Sequence, residues 1–141
     1  MALGNHDIYA DWSFMNLRIR NPLFNMTKNH YFSYNQEGIH FTFLNLDYYE
    51  KASADIQKEM VNWIETDLSV ANSQENRAKW PWIIFVAHRP IYCGYREQGD
   101  EDIPESVWCY SFYAKRKIWD ELLHKYSVDL MLTAHKHSYE R

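Results

Sequence analysis

Three short segments carry the side chains that bind metals: Gly4-Asn5-His6-Asp7, Val86-Ala87-His88-Arg89-Pro90, and Ala134-His135-Lys136-His137-Ser138-Tyr139-Glu140-Arg141. In the last, two imidazoles stand two residues apart. On an extended backbone they share a side, within reach of one metal or of two adjacent metals. Each segment alone has a plainer explanation. His-x-His can be two surface histidines, Gly4-Asn5 a turn with Asp7 as a helix cap, and His88-Arg89-Pro90 a strand end before a proline turn. Taken together they supply an amide oxygen and several imidazole nitrogens. That set suits a borderline first-row divalent ion such as Zn, Mn or Fe, and not Ca or Mg, which take all-oxygen shells.

The segments between must bring these residues together. Residues 8–29 read as irregular, polar and broken by Pro22. Residues 30–34 and 39–46 are rich in strand formers, with Asn35-Gln36-Glu37-Gly38 as a hairpin turn. Ile39, Phe41 and Phe43 alternate with His40 and Thr42, which predicts an exposed His40 and a strand-edge His30. A helix is predicted over about 55–71, with Ile56, Met60, Trp63, Ile64, Leu68 and Ala71 on one stripe. Residues 82–87 form a short apolar run suited to a strand buried on both faces. A second amphipathic helix is predicted over 114–126, turning Ile118, Trp119, Leu122, Leu123 and Tyr126 inward. Lys115, Arg116 and Lys117 make its solvated face, and His124 has no partner motif. The last strand is 128–133. His88 and His135 then each follow a strand, at the edge where open α/β sheets gather ligand sites.

With 141 residues, 46% hydrophobic and 17% aromatic, the chain has enough apolar surface for a core. No internal repeat, low-complexity tract or linker divides it, so residues 1–141 read as one unit. A formal net charge of −4 without a basic run argues against a nucleic-acid partner. A small phosphate ester stays possible, because a metal can supply the missing positive charge. No apolar stretch is long enough for a membrane span, and no secretory signal opens the chain. Cys93 and Cys109 flank a Gly- and acid-rich loop and read as a disulfide staple, two unrelated thiols being the alternative. Asn25-Met26-Thr27 is a glycosylation sequon. Within the loop of residues 92–111, Glu97, Asp100, Glu101 and Asp102 read as solvated acids.

The trio GNHD, V-x-H-x-P and A-H-x-H-x-Y-E-R resembles the purple acid phosphatases, within the calcineurin-like metallophosphoesterase superfamily. Tyr139-Glu140-Arg141 after His-x-His, and Trp80-Pro81-Trp82-Ile83-Ile84 leading to His88-Arg89-Pro90-Ile91-Tyr92-Cys93, are similar to the plant-type and animal type 7-like branch. The resemblance runs over essentially the whole chain. It implies part of a four-layer α/β/β/α sandwich and a binuclear centre, Fe plus Zn, Mn or Fe. Asn5, His88 and His135 would hold the divalent metal and His137 the ferric ion. His6 would contact the substrate phosphate or assist the leaving group. The implied activity is hydrolysis of phosphate monoesters at acidic pH through a metal-bound hydroxide, in a parent protein that is secreted, lysosomal or vacuolar.

Two departures accompany the resemblance. Ala134 stands where the family usually has Gly, tolerable while that residue keeps a negative φ. The family's GDxxY motif does not occur in the 141 residues, and no GDx precedes Gly4; the one Gly-Asp pair, Gly99-Asp100, lies in the loop after His88. The expectation is therefore a partial catalytic domain over 1–141, lacking its N-terminal portion. Its ferric site would keep one of four protein ligands and its second site three. That chain is expected to be inactive alone, with open strand edges and apolar faces. The alternatives are a non-catalytic or one-metal binding domain of the same fold, or a related phosphodiesterase.

Overall fold

A computed structural model describes Gly4, residues 30–92, residues 111–135 and Tyr139, with side chains from 116 onward in the last helix. Asn5, His6, Asn25, Cys93, Glu97, Asp100, Glu101, Asp102, Cys109 and His137 lie outside the described residues. The elements run β1 (Tyr31–Gln36), β2 (Ile39–Leu44), α1 (Leu46–Lys51), α2 (Ala54–Ala71), α3 (Gln74–Lys79), β3 (Trp82–Ala87), α4 (Ser111–Lys125) and β4 (Leu130–Leu132). One sheet holds all four strands in the order β1-β2-β3-β4. β1 and β2 are antiparallel, whereas β2, β3 and β4 are parallel neighbours. The α/β class read from the sequence is the observed one.

The hairpin closes on Glu37 and Gly38, at φ 49° and 81°. Two consecutive positive φ values make the two-residue turn whose twist matches its strands, and Gly38 adopts the second without a Cβ penalty. Helix α2 starts where Ser53 accepts from the Ile56 N–H and buries Met60, Ile64, Leu68 and Ala71. Those four meet Ile83, Phe85 and Ala87 of β3 and the fully buried Trp119 of α4, which also packs edge-on to Tyr49 at 4.9 Å. Two short helices, α1 and α3, are absent from the periodicity reading. Each is only six residues long, too short for a stripe to repeat, and each rests on a cap: Asn45 Oδ1 accepts from Tyr48 N at 2.9 Å, and Ser73 Oγ from Asn76 N at 3.3 Å.

The expectation for His40 is corrected. It is 8% exposed, and the polar positions of β1 and β2 turn towards α2 instead of water. There Asp67 accepts from Ser33 Oγ at 2.5 Å and from Thr42 Oγ1 at 2.7 Å. His40 Nε2 lies 3.1 Å from Asp67 Oδ2, and His40 Nδ1 lies 2.7 Å from Asn35 Oδ1. Alternation separates the two faces of a strand, but it does not say which is wet. Here the half-buried Asp67 carboxylate supplies acceptors for the polar set. By register, Phe32, Tyr34, Phe41, Phe43, Ile84, Val86, Leu130 and Leu132 share the other face. Their rings stack there, Phe32 on Phe43 at 4.6 Å and Tyr34 on Phe41 at 5.3 Å. That face is apolar throughout, while α2 and α4 pack on the opposite one, which carries the polar set of β1 and β2 beside Ile83, Phe85 and Ala87.

Candidate functional site

The parallel strands β2, β3 and β4 all deliver their carboxyl ends to one edge of the sheet, and the residues that follow them form the candidate site. His88 directly follows β3, and His135 comes three residues after β4. The β3–β4 pairing continues past the strands: Ala134 N donates to His88 O at 2.9 Å. This carries the two histidines to the same level. His88 Nε2 stands 3.2 Å from His135 Nδ1, with the rings edge-on and their centroids 5.1 Å apart.

Backbone conformation sharpens the approach. Ala134 keeps a negative φ, so its methyl group costs nothing, and it is His135 that enters the left-handed region at φ 69°. A non-glycine residue held there stores about 1–3 kcal/mol of strain, which persists where surrounding structure fixes it. The first motif arrives from elsewhere in the chain. Gly4 is buried against His88, and a Cβ built on it would lie 2.7 Å from the ring atoms Cδ2 and Cγ. No other residue fits between that backbone and the imidazole face.

These observations test the fit of a metal to the residues present. Two ligands about 2.0–2.1 Å from a tetrahedral ion stand roughly 3.3 Å apart. His88 Nε2 and His135 Nδ1 are separated by 3.2 Å, so their spacing and nitrogen chemistry fit one borderline divalent ion. Among the described residues no group of three His, Cys, Asp or Glu side chains comes together as a metal site. The pair is two ligands, and the other expected ones, Asn5 and His137, fall outside that set, as does His6.

Sequence reasoning overlooked a second pair at this edge. Asp47, in the first turn of α1, is 1% exposed, and Arg89 Nε donates to its Oδ1 at 2.5 Å. The signal was available, since Asp47 stands three residues beyond β2, at a third carboxyl end. Asp47 falls just past the strand expected over 39–46 and belongs to none of the three motifs, so no local motif marked it. His30 borders the same edge, stacked on Tyr48 with centroids 3.6 Å apart and its Nδ1 3.2 Å from the Asn45 amide nitrogen. Burial pushes His30 down from 6.5 to about 4, so it is neutral across most of the physiological range.

Comparison with known proteins agrees with this chemistry. The sequence matches the calcineurin-like phosphoesterase family over residues 1–139. Acid phosphatase type 7 of Danio rerio is 32% identical over 152 aligned positions, covering 98% of this chain and 32% of that protein. The human protein of the same name is 46% identical over 79 residues, covering 56% of this chain and 18% of its own length. Purple acid phosphatase 23 of Arabidopsis thaliana is 28% identical over 145 residues, covering 98% of this chain and 28% of that protein. Among solved structures, purple acid phosphatase PPD1 from yellow lupin seeds aligns with a TM-score of 0.49 at 25% identity, over 76% of this chain and 16% of that one. The chain thus spans a third or less of the length of these relatives. Two histidines meeting beyond adjacent parallel strands, with a motif glycine against one of them, and a match across nearly all 141 residues, lead to one conclusion: the chain belongs to the calcineurin-like phosphoesterases.

Proposed function

We propose that this chain is part of the catalytic domain of a metal-dependent acid phosphatase that hydrolyses small phosphate monoesters. The observation that carries the proposal is the 3.2 Å approach of His88 Nε2 to His135 Nδ1 at the carboxyl edge of the sheet. Asn5, His88 and His135 would hold a divalent metal, and His137 a ferric ion. When bound, such a pair supplies an activated water and positive charge for the phosphoryl oxygens. The chain's own residues do the rest. His88 and His135 present unprotonated nitrogens, which sets a lower limit on the working pH. Gly4 excludes any side chain from the face of the His88 ring. His6 would hydrogen-bond the phosphate or assist the leaving oxygen.

Residues 1–141 would be one partial domain of the four-layer sandwich. The apolar face opposite the helices supports this, because an inner sheet needs a second layer against that side. The parent protein would act outside the cytosol, in a secreted, lysosomal or vacuolar setting that also suits a Cys93–Cys109 disulfide and a glycan on Asn25. Among the described residues no helix is long and apolar enough to cross a membrane. Alone, the 141 residues would be inactive, since GDxxY does not occur in them and their one Gly-Asp pair, Gly99-Asp100, follows His88 instead of preceding Gly4.

The test is hydrolysis of p-nitrophenyl phosphate, with metal analysis, by a longer form of the protein carrying both motifs. Two metals per chain and turnover at acidic pH are expected. A protein that holds two metals and cleaves only diesters would be a phosphodiesterase. One that holds a single metal and turns over neither ester would be a binding domain.

A further inference from the structure

Arg89 follows His88 in the chain and reaches across to the next strand. Its Nε–H donates to Asp47 Oδ1 at 2.5 Å, with the two side chains 14% and 1% exposed. The strands behind them are paired, Leu44 opposite Ala87. The ion pair therefore ties the segment leaving β3 to the segment leaving β2, just beyond the last pairing of the two strands. On its other side the same segment is tied to β4 through Ala134 N and His88 O. His88 sits between these two ties, with Gly4 against its ring.

The pair is a poor stabilising element. Asp47 Oδ2 is buried without a hydrogen-bond partner among the described residues, so one carboxylate oxygen loses its water and gains little in return. A buried ion pair left incomplete in this way contributes little to stability compared with apolar side chains of the same volume. Its distinctive effect is geometric. A short, charge-assisted bond from a planar guanidinium fixes direction as well as distance.

We propose that the Asp47–Arg89 pair is a positioning device for His88, holding the segment beyond β3 so that His88 Nε2 meets His135 Nδ1. The consequence for metal binding rests on the proposed function; the consequence for the two rings does not. Residues that orient a metal ligand typically alter affinity 10- to 100-fold when replaced.

The decisive variant is Asp47→Leu combined with Arg89→Met in the 141-residue chain. It removes one charge of each sign, so the field felt by a cation at His88 is nearly unchanged and any effect is geometric. Three quantities are read: the NMR cross-relaxation between the His88 and His135 ring protons without metal, Zn2+ affinity by competition with a chromophoric chelator, and Tm. The expected result is loss of the ring-to-ring cross-peak and a 10- to 100-fold weaker Zn2+ affinity, with Tm equal or higher. Asp47→Asn, which keeps an oxygen acceptor for Arg89, should retain the cross-peak. A folded double variant with the cross-peak intact and Zn2+ affinity within twofold overturns the proposal. Should the double variant fail to fold, Arg89→Lys decides: it keeps the charge but not the Nε–H, and an unchanged cross-peak overturns the proposal. If His88→Ala leaves the Zn2+ affinity of the parent chain unaltered, the metal reading fails, and the cross-peak still judges the positioning role.

Discussion

The two ends of the parallel strands are built to different standards. At the amino end, Arg77 is spent on many acceptors: Asn72 Oδ1 at 2.9 Å, Pro81 O at 2.7 Å, Asp129 Oδ2 at 2.6 Å, and the carbonyls of Tyr126 and Ser127. Asp129 in turn accepts from Ile83 N at 2.8 Å. Burial pushes its carboxyl up, but that N–H and the Arg77 guanidinium outweigh it and hold the group below the usual carboxylate range. At the carboxyl end, Asp47 keeps a buried oxygen without a partner among the described residues, His135 is left-handed, and two imidazoles face each other. Satisfied polar groups mark the end that holds the fold. Left-handed residues occur at both ends, Ser127 at φ 51° and His135 at φ 69°, so the incompletely satisfied Asp47 is what sets the carboxyl end apart.

The sharpest way to break this contrast is to substitute the histidines. In a longer form of the protein carrying the upstream motifs, His88→Ala or His135→Ala should lose the divalent metal and cut turnover by about a thousandfold or more. Metal content and p-nitrophenyl phosphate hydrolysis measure this. His124→Ala, on an exposed turn of α4, should change neither. Damage by His124→Ala equal to that of His135→Ala, in a folded protein, would show that the wrong edge has been assigned.

Gly4→Ala should come next. Its methyl group would overlap the His88 ring, so the ring must move, and about a 10- to 100-fold loss of metal affinity is expected. Equilibrium dialysis against Zn2+ checks it, and unchanged affinity would remove Gly4 from the site. At the opposite end, Arg77→Ala should destabilise by about 3 kcal/mol through the Asp129 carboxylate and the carbonyls left without their donor, without altering metal binding. Urea denaturation separates the two ends cleanly. An Arg77 variant that loses metal before it loses stability would erase the division between them.

The smallest effect belongs to His30. Its folded value of about 4 lies below the unfolded 6.5. Between those values the unfolded chain takes up a proton that the folded chain refuses, so stability falls as pH drops from about 6.5 towards 4. His30→Gln should flatten that part of the stability curve, measured by urea midpoints at pH 7, 6, 5 and 4. A variant that follows the parent curve would show that the imidazole is not the group responsible.

Elements whose signal is periodic were legible from residues alone. The α2 stripe of Met60, Ile64, Leu68 and Ala71 and the β3 strand over 82–87 appear where expected. However, β3 buries one face, Ile83, Phe85 and Ala87, instead of the two its continuous apolar run suggested. Helix α4 begins at Ser111 instead of 114, and β4 shrinks to Leu130–Leu132, since ends depend on caps and neighbours. His40 was misplaced because its acceptor, Asp67, lies 27 residues away on α2. Asp47 was overlooked for the same reason, its partner Arg89 being 42 residues distant.

By itself the sequence determined which side chains are on offer as ligands: an amide and several imidazoles in three motifs, with two histidines placed after strands. Those choices reside in side-chain type and local period, which no folding step changes. Only the tertiary structure decided that β2, β3 and β4 end together, that His88 Nε2 and His135 Nδ1 stand 3.2 Å apart, and that Gly4 and the Asp47–Arg89 pair adjoin the same histidine segment. Strand order and register set such distances. They arise from packing between residues far apart in the chain, which no local pattern encodes.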